Sequence, residues 1–332
     1  MSKHHIKAAY AKMDAAHLFD GLFVPTKGKK RDRLFVEQRD FGGMKIGFQG
    51  FEQLGADDQS ILLALSAQLG IEGLTIEPQP KGEISKQLRL ALDFEKTDDA
   101  PIATKRTSLR SLLVDAGYNE DKSTAFVKAS LNRLANSQIR EADLKTGWDR
   151  RCNLISVSFN NLTDEIHVAA NPRLTSAVFK GQHVKISLFE RASLDSEVAK
   201  ILHSWLCSNI RLGKALGNGN GAHIDTIAPH VWGNRQWNEL SKQSQSQKRK
   251  LLRDALYEIS DKTRNMHDGY GWAIDQTESG LVIVSRPKRM PLIEIHSGCS
   301  RPSEYQEIME QDMQSDKLPD DFFDDILPVI KK

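Results

Sequence analysis

Between Ser241 and Lys262 the residues SKQSQSQKRKLLRDALYEISDK divide onto two sides when wound at about 100° per residue. Leu251, Leu252, Ala255, Leu256 and Ile259 fall on one side, and Gln243, Ser246, Gln247, Lys250, Arg253 and Tyr257 on the other, with Arg249 at its edge. Amides, a hydroxyl and cations on one stripe are the groups that hydrogen-bond base edges and phosphates in duplex DNA. An ordinary solvated basic helix has the same composition, so the flanking elements must decide between the two.

A second stripe of this kind lies upstream. At helical spacing Lys122, Ala125, Lys128, Ala129, Asn132 and Asn136 share a side, with Arg133 beside them. Small residues among amides and ammonium groups let a helix approach the floor of a major groove. Arg286, Lys288 and Arg289 follow the last strand-like run and are placed for phosphate contact.

Catalytic arrangements are absent from the pattern, and we expect no enzyme activity, cofactor or metal. The glycine-rich segment GKALGNGNG (Gly213 to Gly221) has the wrong spacing for a phosphate loop and follows a helical run instead of a strand. His4 and His5 stand in an N-terminal arm, whereas His167, His183, His203, His223 and His230 are scattered over different elements. Tyr118, Tyr257 and Tyr270 have no supporting metal ligands in view, and no acyl-transfer serine elbow is evident.

The elements that must hold the two stripes come in a repeated order. Residues 1–33 read as a basic arm without periodicity. Leu34 to Phe51 reads as strand, and Asp57 and Asp58 stand where an N-cap would precede an amphipathic helix (Ile61, Leu62, Leu65, Leu69) ended by Gly70. Leu88 to Phe94 reads as strand. A short helix (Ser108 to Ala116), a turn at Gly117, a longer helix (Lys122 to Asn136) and strands at Gln138 to Leu144, Leu154 to Phe159 and Glu165 to Ala170 follow. Then come a strand (Val184 to Leu188), a long helix (Leu194 to Ile210), a short helix (Ile224 to Val231), the Ser241 to Lys262 helix, and a hairpin of Trp272 to Ile274 with Leu281 to Val284. Short helix, turn, longer helix and hairpin, met twice, predict an α+β protein of tandem winged-helix (helix-turn-helix) domains. Their expected limits are 34–178 and 179–290, with the second domain as the main reader.

Composition sets the surroundings. The chain has 332 residues, 39% hydrophobic and 27% charged, with a formal net charge of +2. That small excess is unevenly spread: Lys27, Lys29, Lys30, Arg31 and Arg33 are basic, while the tail from 291 onward is strongly acidic. Within it DDFFDDILP (Asp320 to Pro328) reads as a solvating tail or a partner-docking segment. Three scattered cysteines, no signal-peptide core and no apolar run of membrane length lead us to expect a cytoplasmic protein without a membrane.

Several segments now stand in a telling order: LGADDQSIL (Leu54 to Leu62), QLRL (Gln87 to Leu90), GQHVKIS (Gly181 to Ser187), LDSEVAKILH (Leu194 to His203), HIDTI (His223 to Ile227), VW (Val231 to Trp232), KRKLLRDAL (Lys248 to Leu256) and SRPK (Ser285 to Lys288). Collinear from about Gly21 to Lys288, they resemble the RepC replication initiators of IncQ-type plasmids. That resemblance implies a pair of winged-helix domains binding direct repeats (iterons) in double-stranded origin DNA, melting of an adjacent AT-rich segment, and recruitment of the plasmid helicase and primase. It supports placing Gln247, Lys248, Arg249, Lys250 and Arg253 on the second recognition helix. A homodimer is left open, as is a winged-helix transcriptional repressor, which would act on inverted repeats.

Overall fold

The computed structural model describes residues 6, 8–26, 30–92, 100–160, 162–179, 181–264, 266, 271–277 and 281–286. Strand β1 (Tyr10–Met13) leads through a 3-10 turn at Ala15–Leu18 to β2 (Leu34–Phe41) and β3 (Met44–Gly50). Helix α1 (Ala56–Glu72), β4 (Leu74–Ile76), α2 (Glu83–Ala91), β5 (Ile102–Ser108), α3 (Leu109–Asp115) and α4 (Ala125–Ala135) follow. Strands β6 (Ser137–Asp143), β7 (Asp149–Asn153), β8 (Ile155–Phe159) and β9 (Glu165–Ala170) lead to α5 (Pro172–Phe179). The second half holds β10 (Val184–Ser187), α6 (Leu188–Ser193), α7 (Glu197–Asn209), α8 (Ile224–Trp232), α9 (Asn234–Asn238), α10 (Lys242–Thr263), β11 (Ala273–Gln276) and β12 (Val282–Ser285). Pairing between these strands is antiparallel: β2-β3-β6-β7, β4-β5-β9-β8, β1-β10 and β11-β12. The class is therefore mixed α and β.

Helix α1 is the axis of the molecule. Its apolar run Ile61–Leu65 is wholly buried, and neighbouring Gln59, Ser60 and Ser66 are buried as well. We expected an amphipathic helix; instead it is enclosed on all sides, by α3 and α4 of the first half, by α7 of the second, and by β1 and α5. Gly55 is its N-cap, and Asp58, at the third helical position, accepts the Gly55 N–H at 2.7 Å. Gly70 lies inside the helix, which ends at Gly73. One continuous hydrophobic cluster runs from Ile6 to Val284 through both halves, with a satellite of Ile76, Leu88, Leu92, Ile102 and Ala169.

Other expectations need correcting. The N-terminal arm is not irregular over its described part: β1 pairs with β10, and Ala11, Met13, Leu22 and Phe23 are buried. Those apolar residues are few and widely spaced, so their periodicity emerges only with the distant partner strand. The alternation Leu88-Leu90-Leu92 reads as strand, yet residues 83–91 form α2, in which Leu88 and Leu92 are buried one turn apart and Leu90 is 81% exposed. Strands β4, β5 and β7 and helices α5, α6 and α9 were not anticipated.

Arg191 fixes the junction of the halves. Its side chain is buried, and it donates to the Ser60 hydroxyl (3.2 Å) and the Ala56 carbonyl (3.1 Å) of α1, and to the Lys200 carbonyl (2.5 Å) and Ser204 hydroxyl (2.7 Å) of α7. At the same seam the turn after α3 uses Gly117 at φ +81, where an added Cβ would stand 2.5 Å from the Ala192 Cβ of α6.

Candidate nucleic-acid interface

Helix α10 begins where the Ser241 hydroxyl accepts the Ser244 N–H. Leu252, Ala255, Leu256 and Ile259 are buried, and the helix packs on α7 and α8. That anchoring turns the opposite side outward. Gln243, Ser246, Gln247, Lys250, Arg253 and Tyr257 are all exposed, as the helical spacing predicts. Leu251, expected inward, is 50% exposed, because it lies toward the edge of the buried stripe. Asp254, Asp261 and Arg264 also belong to the exposed side. Sequence reasoning passed over all three, although the same helical spacing places Asp254 between Lys250 and Gln247.

Lys248 and Arg249 are turned to a different task. The Lys248 ammonium stands 4.6 Å from the centre of the Trp232 ring. The Arg249 guanidinium chelates the Asp225 carboxylate of α8, with Nη2 to Oδ2 at 3.2 Å, and lies 5.8 Å from the Trp237 ring. Trp232 and Trp237 stack at 6.0 Å. This cation–aromatic layer fixes α10 against α8 and α9. Asp225 holds the Arg249 guanidinium above its ordinary range through a hydrogen bond.

In the first half, Lys122, Ala125, Lys128, Asn132 and Asn136 are exposed, on or beside α4. The Lys122 ammonium lies 4.0 Å from both the Tyr118 and Phe126 ring centres, and Lys128 lies 5.0 Å from that of Phe159. Arg133 is spent elsewhere: it donates to the fully buried Asp58 carboxylate at 2.8 and 3.0 Å and to the Ser130 hydroxyl at 3.1 Å. Arg31 of the N-terminal basic cluster joins the same carboxylate at 2.8 Å.

Arg286 is a correction. Expected at the surface, it is 6% exposed and donates to the Cys207, Ile210 and Lys185 carbonyls, each at 3.3 Å. A cation already committed to three carbonyls under the hairpin has no free fork for phosphate. Lys288 and Arg289, and the acidic tail, lie outside the described residues.

Of the described histidines, His17 and His203 are buried. His203, on α7, meets the Glu190 carboxylate at 2.8 Å, and Glu190 also accepts the Trp272 indole N–H at 3.2 Å. Burial opposes its charge, but Cys207 and Glu190 outweigh that and push His203 up to about 9. His17 is driven down to about 4 by burial, assisted by Arg173 and opposed by Asp14. His230 stacks on Trp205 at 4.4 Å and meets Asp20 at 2.8 Å. Among the described residues no three His, Cys, Asp or Glu side chains converge as metal ligands. No helix there is long and apolar enough to cross a membrane.

The family model for replication protein C (RepC) matches residues 4–288. No curated protein matches the chain.

Proposed function

The chain belongs to the replication protein C (RepC) family, and from that premise we propose that it is a plasmid replication initiator that reads direct repeats in duplex origin DNA. The observation that carries this is the outward stripe of α10, where Gln243, Ser246, Gln247, Lys250 and Arg253 are free to meet base edges and phosphates while Leu252, Ala255, Leu256 and Ile259 hold the helix.

Strand order supports tandem winged helices. In the first half β9 lies between β5 and β8, with α3 packed on β5 and α4 on β8. In the second half β12 lies between β11 and the bridges from Ala215 and Ala222, with α10 packed on β11. Both agree with a hairpin laid beside a helix-turn-helix. In this reading α10 supplies most of the specificity, Lys122, Lys128 and Asn132 add a second set of contacts from the first half, and binding opens an adjacent AT-rich segment for the plasmid helicase and primase. The protein acts without catalysis of its own.

Footprinting on the plasmid's own origin, with permanganate probing of unpaired thymines, tests this. Protection of successive direct repeats with reactive thymines beside them is expected. Protection of a single inverted repeat without thymine exposure is the behaviour of a repressor and overturns the proposal. Strand cleavage in the presence of a divalent metal overturns the non-catalytic part.

A further inference from the structure

Asp254 is out of place on a surface built for a polyanion. It is exposed on the middle of α10, one turn after Lys250, and makes no ion pair among the described residues. The i,i+4 spacing would allow a Lys250–Asp254 pair, yet the two side chains stay apart. Against DNA phosphates a carboxylate is repulsive at every sequence, so this position weakens duplex binding unless a donor meets it.

In the major groove only two base edges offer such a donor, the N4 amino group of cytosine and the N6 amino group of adenine. An ionised carboxylate is acceptor-only. On adenine the amino group stands beside N7, a second acceptor that would face the carboxylate lone pairs. Beside the cytosine N4 is a C–H, which raises no such conflict. Asp254 therefore fits cytosine better than adenine, and excludes guanine and thymine, whose exposed groups there are acceptors.

We propose that Asp254 is a specificity-determining residue that accepts a hydrogen bond from cytosine N4 at one position of the repeat. This rests on the reading of α10 as the recognition helix. Its electrostatic signature is unusual: Asp254 lowers affinity for every other sequence while raising it for the right one.

The test uses the full chain and a duplex carrying the footprinted repeat, with each base pair replaced in turn, beside a mixed-sequence duplex of equal length. For Asp254→Ala, affinity for the mixed duplex rises, and the preference for cytosine at one position falls by about 5- to 150-fold, the equivalent of a lost 1–3 kcal/mol base contact. For Asp254→Asn the preference at that position moves toward adenine, whose N6 and N7 suit an amide. An unchanged melting temperature shows that both variants fold. If the wild type prefers the repeat and Asp254→Ala keeps its full discrimination, or weakens all duplexes alike, the inference about Asp254 is overturned and the role of α10 stands. If the wild type does not distinguish the repeat from mixed sequence, the reading of α10 itself fails and the inference falls with it.

Discussion

Replacing Arg191 with Ala should uncouple the two halves of the molecule. The guanidinium donates four hydrogen bonds, two to α1 residues and two to α7 residues. At about 1.5 kcal/mol for each bond from a charged donor, their loss costs about 6 kcal/mol. Part of that is offset. Burial pushes Arg191 down to about 10, which means the charge is undercompensated where it sits. The acceptors are also not stranded, since the Ala56 carbonyl keeps the Ser60 hydroxyl at 3.0 Å and the Lys200 carbonyl keeps that of Ser204 at 3.3 Å. The net loss is about 3–6 kcal/mol, a large share of the 5–15 kcal/mol typical of a folded domain. Urea titration followed by tryptophan fluorescence reads this directly, because Trp205, Trp232, Trp237 and Trp272 are all buried in the second half. A lower midpoint is expected, together with a shallower slope as the halves begin to open separately. Lysine should not rescue, because a single ammonium lacks the planar fork that reaches both helices. A variant within about 1 kcal/mol of the wild type and of unchanged slope would refute the argument.

Three further outcomes follow from the geometry. Lys250→Ala and Arg253→Ala should leave the melting temperature unchanged and weaken repeat binding by about 5- to 150-fold, whereas Arg249→Ala should lower the melting temperature by loosening α10 from Asp225 with less effect on base discrimination; footprint titrations beside thermal melts separate the two classes. His203 carries its proton more firmly when folded than when unfolded, so its stabilisation is complete below about 6.5 and is lost as pH rises toward about 9; His203→Gln should flatten that alkaline decline in urea midpoints, and an unchanged slope would count against the buried charge. Gly117→Ala meets both a positive φ and the Ala192 Cβ, so it should destabilise by about 1–3 kcal/mol, read by chemical denaturation.

The outward face of α10 was more legible than the fold around it. On α10 one periodicity decided which residues face out, because the helix is anchored along a single stripe. The same reasoning misassigned Arg249, Arg286 and Arg133, since a cation looks alike in sequence whether it meets solvent, Asp225, three carbonyls or Asp58. What separates them is a partner far away along the chain. Helix α1 shows the complementary difficulty: enclosed on all sides, it has no polar face for a period to mark. Strand β1 was invisible for want of β10, and α2 was mistaken because Leu88, Leu90 and Leu92 alternate as strand residues do.

The pairing of β1 with β10 also bears on how the chain acquires its structure during synthesis. Tyr10 meets Ser187 and Met13 meets Val184, so the first strand leaves the ribosome long before its partner exists. At about 5–20 residues per second that wait is roughly 10–35 s. Throughout it β1 has no partner strand for its backbone hydrogen bonds, although it can pack on α1. The nascent chain is thus held in an incomplete form until the second half arrives, and closing that clasp is the step that joins β1 to β10.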